Sequence, residues 1–283
     1  MNSSFEIRNL NETEIPLIVN MAAAEGWNPG LKDSDAFYQA DQRGFFVGLL
    51  DAEPIAFISA VNYNNQYGFV GLYIVKPEHR GKGYGYAIWQ HAMNALGNLP
   101  CGLDGVPAQV ENYRKSGFVY AFRQMRMAGK ALSPSEVSDH IFTFDGRSTH
   151  RINEYDREVF GTGREAFLNA WLSMPNAKVF YSEDKNGTID GYAVIRKCGD
   201  GYKIGPLFAD NPQVAKQLFR ACHSVAEPGE TVYIDIPEPH GPACEMARRY
   251  RLELVFETAR MYKNGAPHFP LEKVFGITTF ELG

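Results

Sequence analysis

Arg80-Gly81-Lys82-Gly83-Tyr84-Gly85 is the stretch whose reading decides how this chain folds. The run before it, Gly68-Phe69-Val70-Gly71-Leu72-Tyr73-Ile74-Val75, is rich in β-branched and aromatic residues and reads as a strand. The segment after it places Ile88, Trp89, Ala92, Met93 and Leu96 at helical spacing. Strand, glycine-rich turn and helix together present bare backbone N–H groups at a helix N-terminus, which is where anions bind.

The elements on either side extend this pattern. Strands are expected at 5–10, 45–50, 54–63, 69–75, 101–106 and 119–127, and helices at 13–24, 34–42, 84–96 and 109–116. The order β-α-α-β-β-β-α-β-α-β fills roughly 130 residues and gives an α/β (α+β) unit with a mostly antiparallel sheet. Residues 131–150, with Ser133-Pro134-Ser135, read as a linker. Residues 151–283 then repeat the order. A loop leads into an amphipathic helix at 164–172. Strands at 178–183 and 191–197 flank the hairpin signal Lys185-Asn186-Gly187. Strands at 202–208, 231–236 and 255–262 alternate with helices at 212–225 and 243–250.

The repeat is visible residue by residue at the back of each half. Asp104, Tyr113-Arg114, Phe122 and Arg126-Met127 match Asp235, Tyr250-Arg251, Phe256 and Arg260-Met261. The chain therefore reads as a duplication, with modules at 1–130 and 151–283. A length of 283 residues accommodates two such modules.

Composition excludes several classes. A net charge of −5 offers no basic footprint for nucleic acid. No apolar run reaches the roughly 18 residues of a membrane span. Met1-Asn2-Ser3-Ser4-Phe5-Glu6-Ile7-Arg8 carries no basic or apolar signal region. Cys101, Cys198, Cys222 and Cys244 are scattered, with no metal-ligand spacing. A cytoplasmic protein without a metal is the expectation.

The glycine turn by itself fits a dinucleotide fingerprint, a phosphate loop or a plain tight turn. No Gly-x-x-x-x-Gly-Lys-Ser/Thr is present, which argues against a Walker-type loop. The turn follows a late strand of an antiparallel order, and its last two glycines are two apart, which argues against a dinucleotide fold. With Ile74-Val75-Lys76-Pro77-Glu78-His79 ahead of Arg80, and Tyr113-Arg114-Lys115-Ser116-Gly117-Phe118 about 30 residues on, the chain resembles the GNAT superfamily of acyl-CoA-dependent N-acyltransferases. The resemblance covers residues 5–130. The second half resembles the degenerate module of tandem GNAT proteins, because Ile204-Gly205-Pro206-Leu207-Phe208 leads to no glycine turn.

The resemblance implies acetyl-CoA as acyl donor and a primary amine, on a small molecule or a peptide, as acceptor. Arg80, Gly81, Lys82, Gly83, Tyr84 and Gly85 would hold the pyrophosphate on backbone N–H groups. Tyr73, Ile74 and Val75 would bind pantetheine like an added strand, at a bulge that splays the sheet. Tyr113 would protonate the departing thiolate; the alternative is a packing role. Asp104 is the expected general base; the alternative is a turn or cap. Trp27 and Asn28 lie in a loop that overhangs the substrate in the family's geometry. Many members carry an asparagine seven residues before the tyrosine; that position is Val106 here, and Asn112 is the nearby substitute. The rival functions are a non-catalytic acyl-CoA sensor and an aminoacyl or longer-chain acyltransferase. A monomer and a homodimer are equally compatible with the sequence.

Overall fold

Apolar alternation and turn residues divide the first half into β1 (Phe5–Asn9), α1 (Ile15–Ala24), α2 (Asp33–Ala40), β2 (Phe45–Leu50), β3 (Glu53–Tyr63), β4 (Tyr67–Val75), α3 (Tyr84–Leu96), β5 (Cys101–Gly105), α4 (Val110–Lys115) and β6 (Val119–Lys130). The second half contains β7 (Ile141–Thr143), α5 (Thr149–Phe160), α6 (Glu165–Leu172), β8 (Ala177–Glu183), β9 (Ile189–Lys197), β10 (Tyr202–Ala209), α7 (Pro212–His223), β11 (Thr231–Pro237), α8 (Gly241–Arg249), β12 (Glu253–Lys263) and β13 (Val274–Gly276). The computed structural model describes residues 4–132 and 140–283. The middle of the expected linker, 133–139, lies outside the described residues.

Three expectations change. The loop ahead of residue 164 is instead a helix, α5, ended by Gly161 at φ +86°. The β7 strand occupies part of the expected linker. The short β13 was not anticipated, since three residues carry too little alternation to register.

Among the described residues the strands form one 13-stranded sheet, in the order β1-β2-β3-β4-β5-β12-β6-β11-β10-β9-β8-β7, with β13 beside β10. The two modules have exchanged their last long strands. β12, from the second half, pairs with β5 of the first, and β6, from the first half, pairs with β11 of the second. The exchange makes one sheet out of two.

The repeated Asp and Arg positions lie at these crossings. Arg260 stands opposite Asp104 in the β12–β5 register, and Arg126 opposite Asp235 in the β6–β11 register. Each guanidinium grips its aspartate with two hydrogen bonds of 2.6–2.8 Å. Opposite-charge pairs directly across strands favour that register. Both pairs are buried, so each charge depends on its partner.

The core is shared in the same way. Phe37 of α2 stacks 6.2 Å from Trp171 of α6, and one apolar cluster runs from Ile15 and Phe69 through Trp171 and Tyr192 to Leu282. A second cluster lies under α3, where Ile88, Trp89, Ala92 and Leu96 pack on Val70, Leu103 and Phe118. A third lies under α7.

Candidate active site

The β4 strand builds the site by changing its faces. Phe69 joins the shared core and Val70 the cluster under α3. Strict alternation would return the face at Gly71 and leave it at Leu72. Instead Leu72 sits at φ +49°, still in the shared core, and the register with β3 shifts between Phe57 and Ser59. That is a β-bulge. After it, Tyr73 and Val75 face α3 while Ile74 faces the shared core. Beyond the bulge β4 also parts from β5. The parallel register covers only Gly68–Val70 against Cys101–Leu103. The edge of β4 from Gly71 onward therefore faces an open wedge instead of a neighbouring strand.

A cavity of about 580 Å³ fills this wedge. Its walls include Tyr73, Ile74 and Val75 of β4, Asp104 and Gly105 of β5, Tyr113, Trp27, and the turn residues Arg80, Gly81, Gly83 and Gly85. The turn is shaped for close approach. Gly81 and Gly83 have φ +73° and +89°, which glycine alone adopts without strain. Gly85, in the first turn of α3, lies so close to β4 that a Cβ would be 2.8 Å from the Tyr73 hydroxyl. Gly83 caps α3 with no side chain, so the N–H groups of its first turn have no side-chain acceptor. Arg80 is anchored: its Nε donates to Val75 O at 2.8 Å and its guanidinium pairs with Glu25. An anion at this turn gains roughly 0.3–2 kcal/mol from the helix dipole.

Tyr113 is positioned by the motif that contains it. It lies near the end of α4, and its carbonyl accepts the N–H of Ser116 and Phe118, a reversal that Gly117 permits at φ +89°. The ring packs 5.3 Å from Trp89. It lies flat on β5 only because residue 105 is glycine; a Cβ there would be 2.3 Å from Tyr113 Cε2. Burial, with Tyr73 beside it, pushes the Tyr113 phenol well above its ordinary pKa. Burial also raises Tyr73.

Several expected residues are placed elsewhere. Asp104 lines the cavity, but Arg260 holds both its oxygens, at 2.8 and 2.6 Å. It is a committed ion-pair partner and not the free carboxylate expected of a base. Asn28 points away from the cavity: its side chain exchanges two hydrogen bonds with the Asp200 backbone, and its carbonyl accepts from Lys203. Asn112 is exposed and donates to Gln109, and it is Gln109 that reaches the cavity wall. The side chains of Lys82 and Tyr84 do not line the cavity; the Tyr84 ring rests on Phe5.

Other lining residues carried no local signal in the sequence. Phe256 and Thr258 come from the exchanged β12, and Phe280 and Glu281 from the segment after β13. Nothing near these residues in sequence points to a site, because the strand exchange and the path after β13 bring them there.

The equivalent wedge in the second module is closed. The β10 and β11 strands pair in parallel only at Tyr202–Ile204 and Val232–Ile234. Where they part, β13 inserts antiparallel to Leu207 and Phe208, and Ile277 N–H donates to Asp235 O. The start of α7 is closed too. Asn211 Oδ1 accepts from the N–H groups of Gln213 and Val214, and Pro212 has none to offer.

No group of three or more His, Cys, Asp or Glu suited to a metal ion occurs among the described residues. No helix among them is long and apolar enough to cross a membrane.

Comparison with known proteins gives both halves the same identity. Residues 7–118 match the model of the acetyltransferase (GNAT) family, and residues 152–276 match that of an acetyltransferase (GNAT) domain. Holothin acyltransferase of Pseudoalteromonas sp. (strain SANK 73390) is 33% identical over 270 residues, 95% of this chain and 92% of that protein. A putative acetyltransferase from Pyrococcus horikoshii superposes with a TM-score of 0.83 at 21% identity, covering 99% of this chain and 96% of that one. A tandem GNAT protein from the clavulanic acid biosynthesis pathway superposes with a TM-score of 0.63 at 13% identity, over 94% of this chain and 100% of that one.

Proposed function

Because this chain belongs to the GNAT acyltransferase family, as a tandem GNAT protein, we propose that it transfers an acetyl group from acetyl-CoA to a primary amine. The amine attacks the thioester directly, without a covalent enzyme intermediate. One observation carries this reading: the wedge beyond the β4 bulge has an uncapped glycine turn at one end and the Tyr113 ring in its wall. The first feature suits a pyrophosphate and the second a departing thiolate.

The roles follow from this placement. Backbone N–H groups from Gly81 to Gly85 hold the pyrophosphate, with Arg80 locking the turn to β4. The unpaired edge of β4 at Tyr73, Ile74 and Val75 takes pantetheine as an added strand. Tyr113 donates its proton to the CoA thiolate. A thiol has an ordinary pKa of about 8.5 and a phenol about 10. A phenol raised further by burial is protonated in the resting enzyme, so it meets the charge that develops on sulfur with a proton to give. Asp104 acts as a positioning residue that fixes β5 to β12 through Arg260. Trp27 forms part of the acceptor wall.

We assign the acetyl-CoA site to the module at 1–130, with 131–150 as connector and 151–283 as the degenerate partner. The 33%-identical relative is named for holothin, so holothin heads the panel of acceptors to test. The test is CoA release from acetyl-CoA across an amine panel, for the wild type and Tyr113→Phe. We expect the variant to lose about 10²–10⁴-fold in kcat while acetyl-CoA affinity is retained. An unchanged kcat removes Tyr113 from the mechanism. Acetyl-CoA binding with no transfer to any amine favours a sensor instead.

A further inference from the structure

An amine with an ordinary pKa of about 10.4 reaches the site as an ammonium and must lose a proton before it can attack. Three carboxylates line the cavity: Glu25, Asp104 and Glu281. Glu25 is held by Arg80, and both oxygens of Asp104 are held by Arg260. The carboxylate of Glu281 makes no hydrogen bond or ion pair among the described residues, although the residue is only 4% exposed. A carboxylate left without a partner in a cavity wall has an opening for a donor from outside.

We infer that Glu281 is the general base that takes the acceptor's proton, an inference that rests on the acetyl-transfer reading above. Its side of the wedge fits this role. Phe280 and Leu282 belong to the shared core, with Trp27 and Phe256 packed against it, whereas Tyr113 and Trp89 belong to the cluster under α3. The segment that carries Glu281 and the ring of Tyr113 therefore belong to different clusters, and both residues line the one cavity.

The backbone around Glu281 is pinned. Thr279 Oγ1 accepts the N–H groups of Glu281 and Leu282, and Tyr63 donates to Leu282 O at 2.9 Å. The Glu281 carbonyl lies so close to β4 that a Cβ on Gly71 would be 2.0 Å from it. Lys203 and Arg196 from the second module, and Arg126 from β6, act on Glu281 across the interior, with Asp104 opposing them. Arg126 and Arg196 each hold an aspartate of their own, while Lys203 donates to a carbonyl.

The step balances. The ammonium gives one proton to Glu281, the freed nitrogen lone pair forms the C–N bond, and the C–S bond breaks with its pair on sulfur. Sulfur takes the Tyr113 proton, Tyr113 recovers the second proton shed by nitrogen, and Glu281 returns its proton to water.

The test is kcat/KM against pH for the wild type, Glu281→Gln and Glu281→Asp as full chains, with acetyl-CoA affinity and thermal melts measured alongside. We expect Glu281→Gln to lose about 10²-fold or more at pH 7, with the loss shrinking as pH approaches the amine pKa and free amine becomes available. Glu281→Asp should recover part of the rate, and acetyl-CoA affinity should hold. A structural role would give a loss constant across pH, and that result overturns the assignment, as does a fully active Glu281→Gln. If Glu281→Gln does not fold, a Glu281→Asp variant with the full wild-type rate at pH 7 overturns it equally, because a base withdrawn by one methylene must lose rate. A wild type that transfers to no amine overturns the underlying reading instead.

Discussion

His223 shows how a single buried group sets a pH limit. Its ring packs 4.2 Å from Phe219 and accepts the Leu132 N–H, and burial lowers its pKa to about 4. The unfolded chain has an ordinary histidine near 6.5. Below about pH 6.5 the unfolded state therefore gains a proton that the folded state refuses until about pH 4. Stability is lost as pH falls through that window, by about 3 kcal/mol in total. Urea unfolding at pH 7 and pH 4.5 should show this, and His223→Gln should flatten the difference. A variant with the wild-type pH slope refutes the account. The residues of the site differ in how far the sequence exposed them. Tyr113 and the glycines were legible because each motif builds its own local geometry. Asn28 and Asn112 were misplaced because loop and helix-surface side chains are claimed by whichever partner lies nearest, here Asp200 and Gln109. Glu281 left no signal because its neighbours in the site are far away in sequence.

At the level of elements, the exchanged strands carry the two halves of the sheet. Asp104–Arg260 and Asp235–Arg126 are the same device used twice, once at each crossing. Removing one partner leaves the other charge buried and unmatched, which costs about 3–5 kcal/mol. Asp104→Asn and Asp235→Asn should each lower the unfolding free energy by that amount in chemical denaturation. A loss below about 1 kcal/mol in either would mean that the pair is replaceable by water or neighbours. The sequence displayed the four residues as a repeat, with one Asp and one Arg in each half. The pairing crosses between halves, because β6 and β12 each leave their own module's sheet. Both matchings have the same local sequence, so local patterning cannot choose between them.

At the level of the molecule, two modules of common plan have been put to different uses. In the first, the wedge is open and the helix start uncapped. In the second, β13 fills the wedge and Asn211 caps α7. One acetyl-CoA per chain is therefore the expected stoichiometry in calorimetric titration. A value of two would mean that β13 can be displaced. The segment that closes the second wedge continues to Glu281 in the wall of the first, so the second module contributes residues to the first module's cavity.

The sequence by itself determined most of the elements, the duplication, the family and the glycine turn ahead of α3. Each of these depends on side-chain periodicity or backbone freedom within a few residues. Only the tertiary structure decided the strand exchange, the crossed ion pairs, the closed second wedge and the approach of Glu281 to Gly71. These depend on which distant segments share the interior, a choice made by burial and charge pairing across the whole chain and not by the conformational preferences of any one stretch.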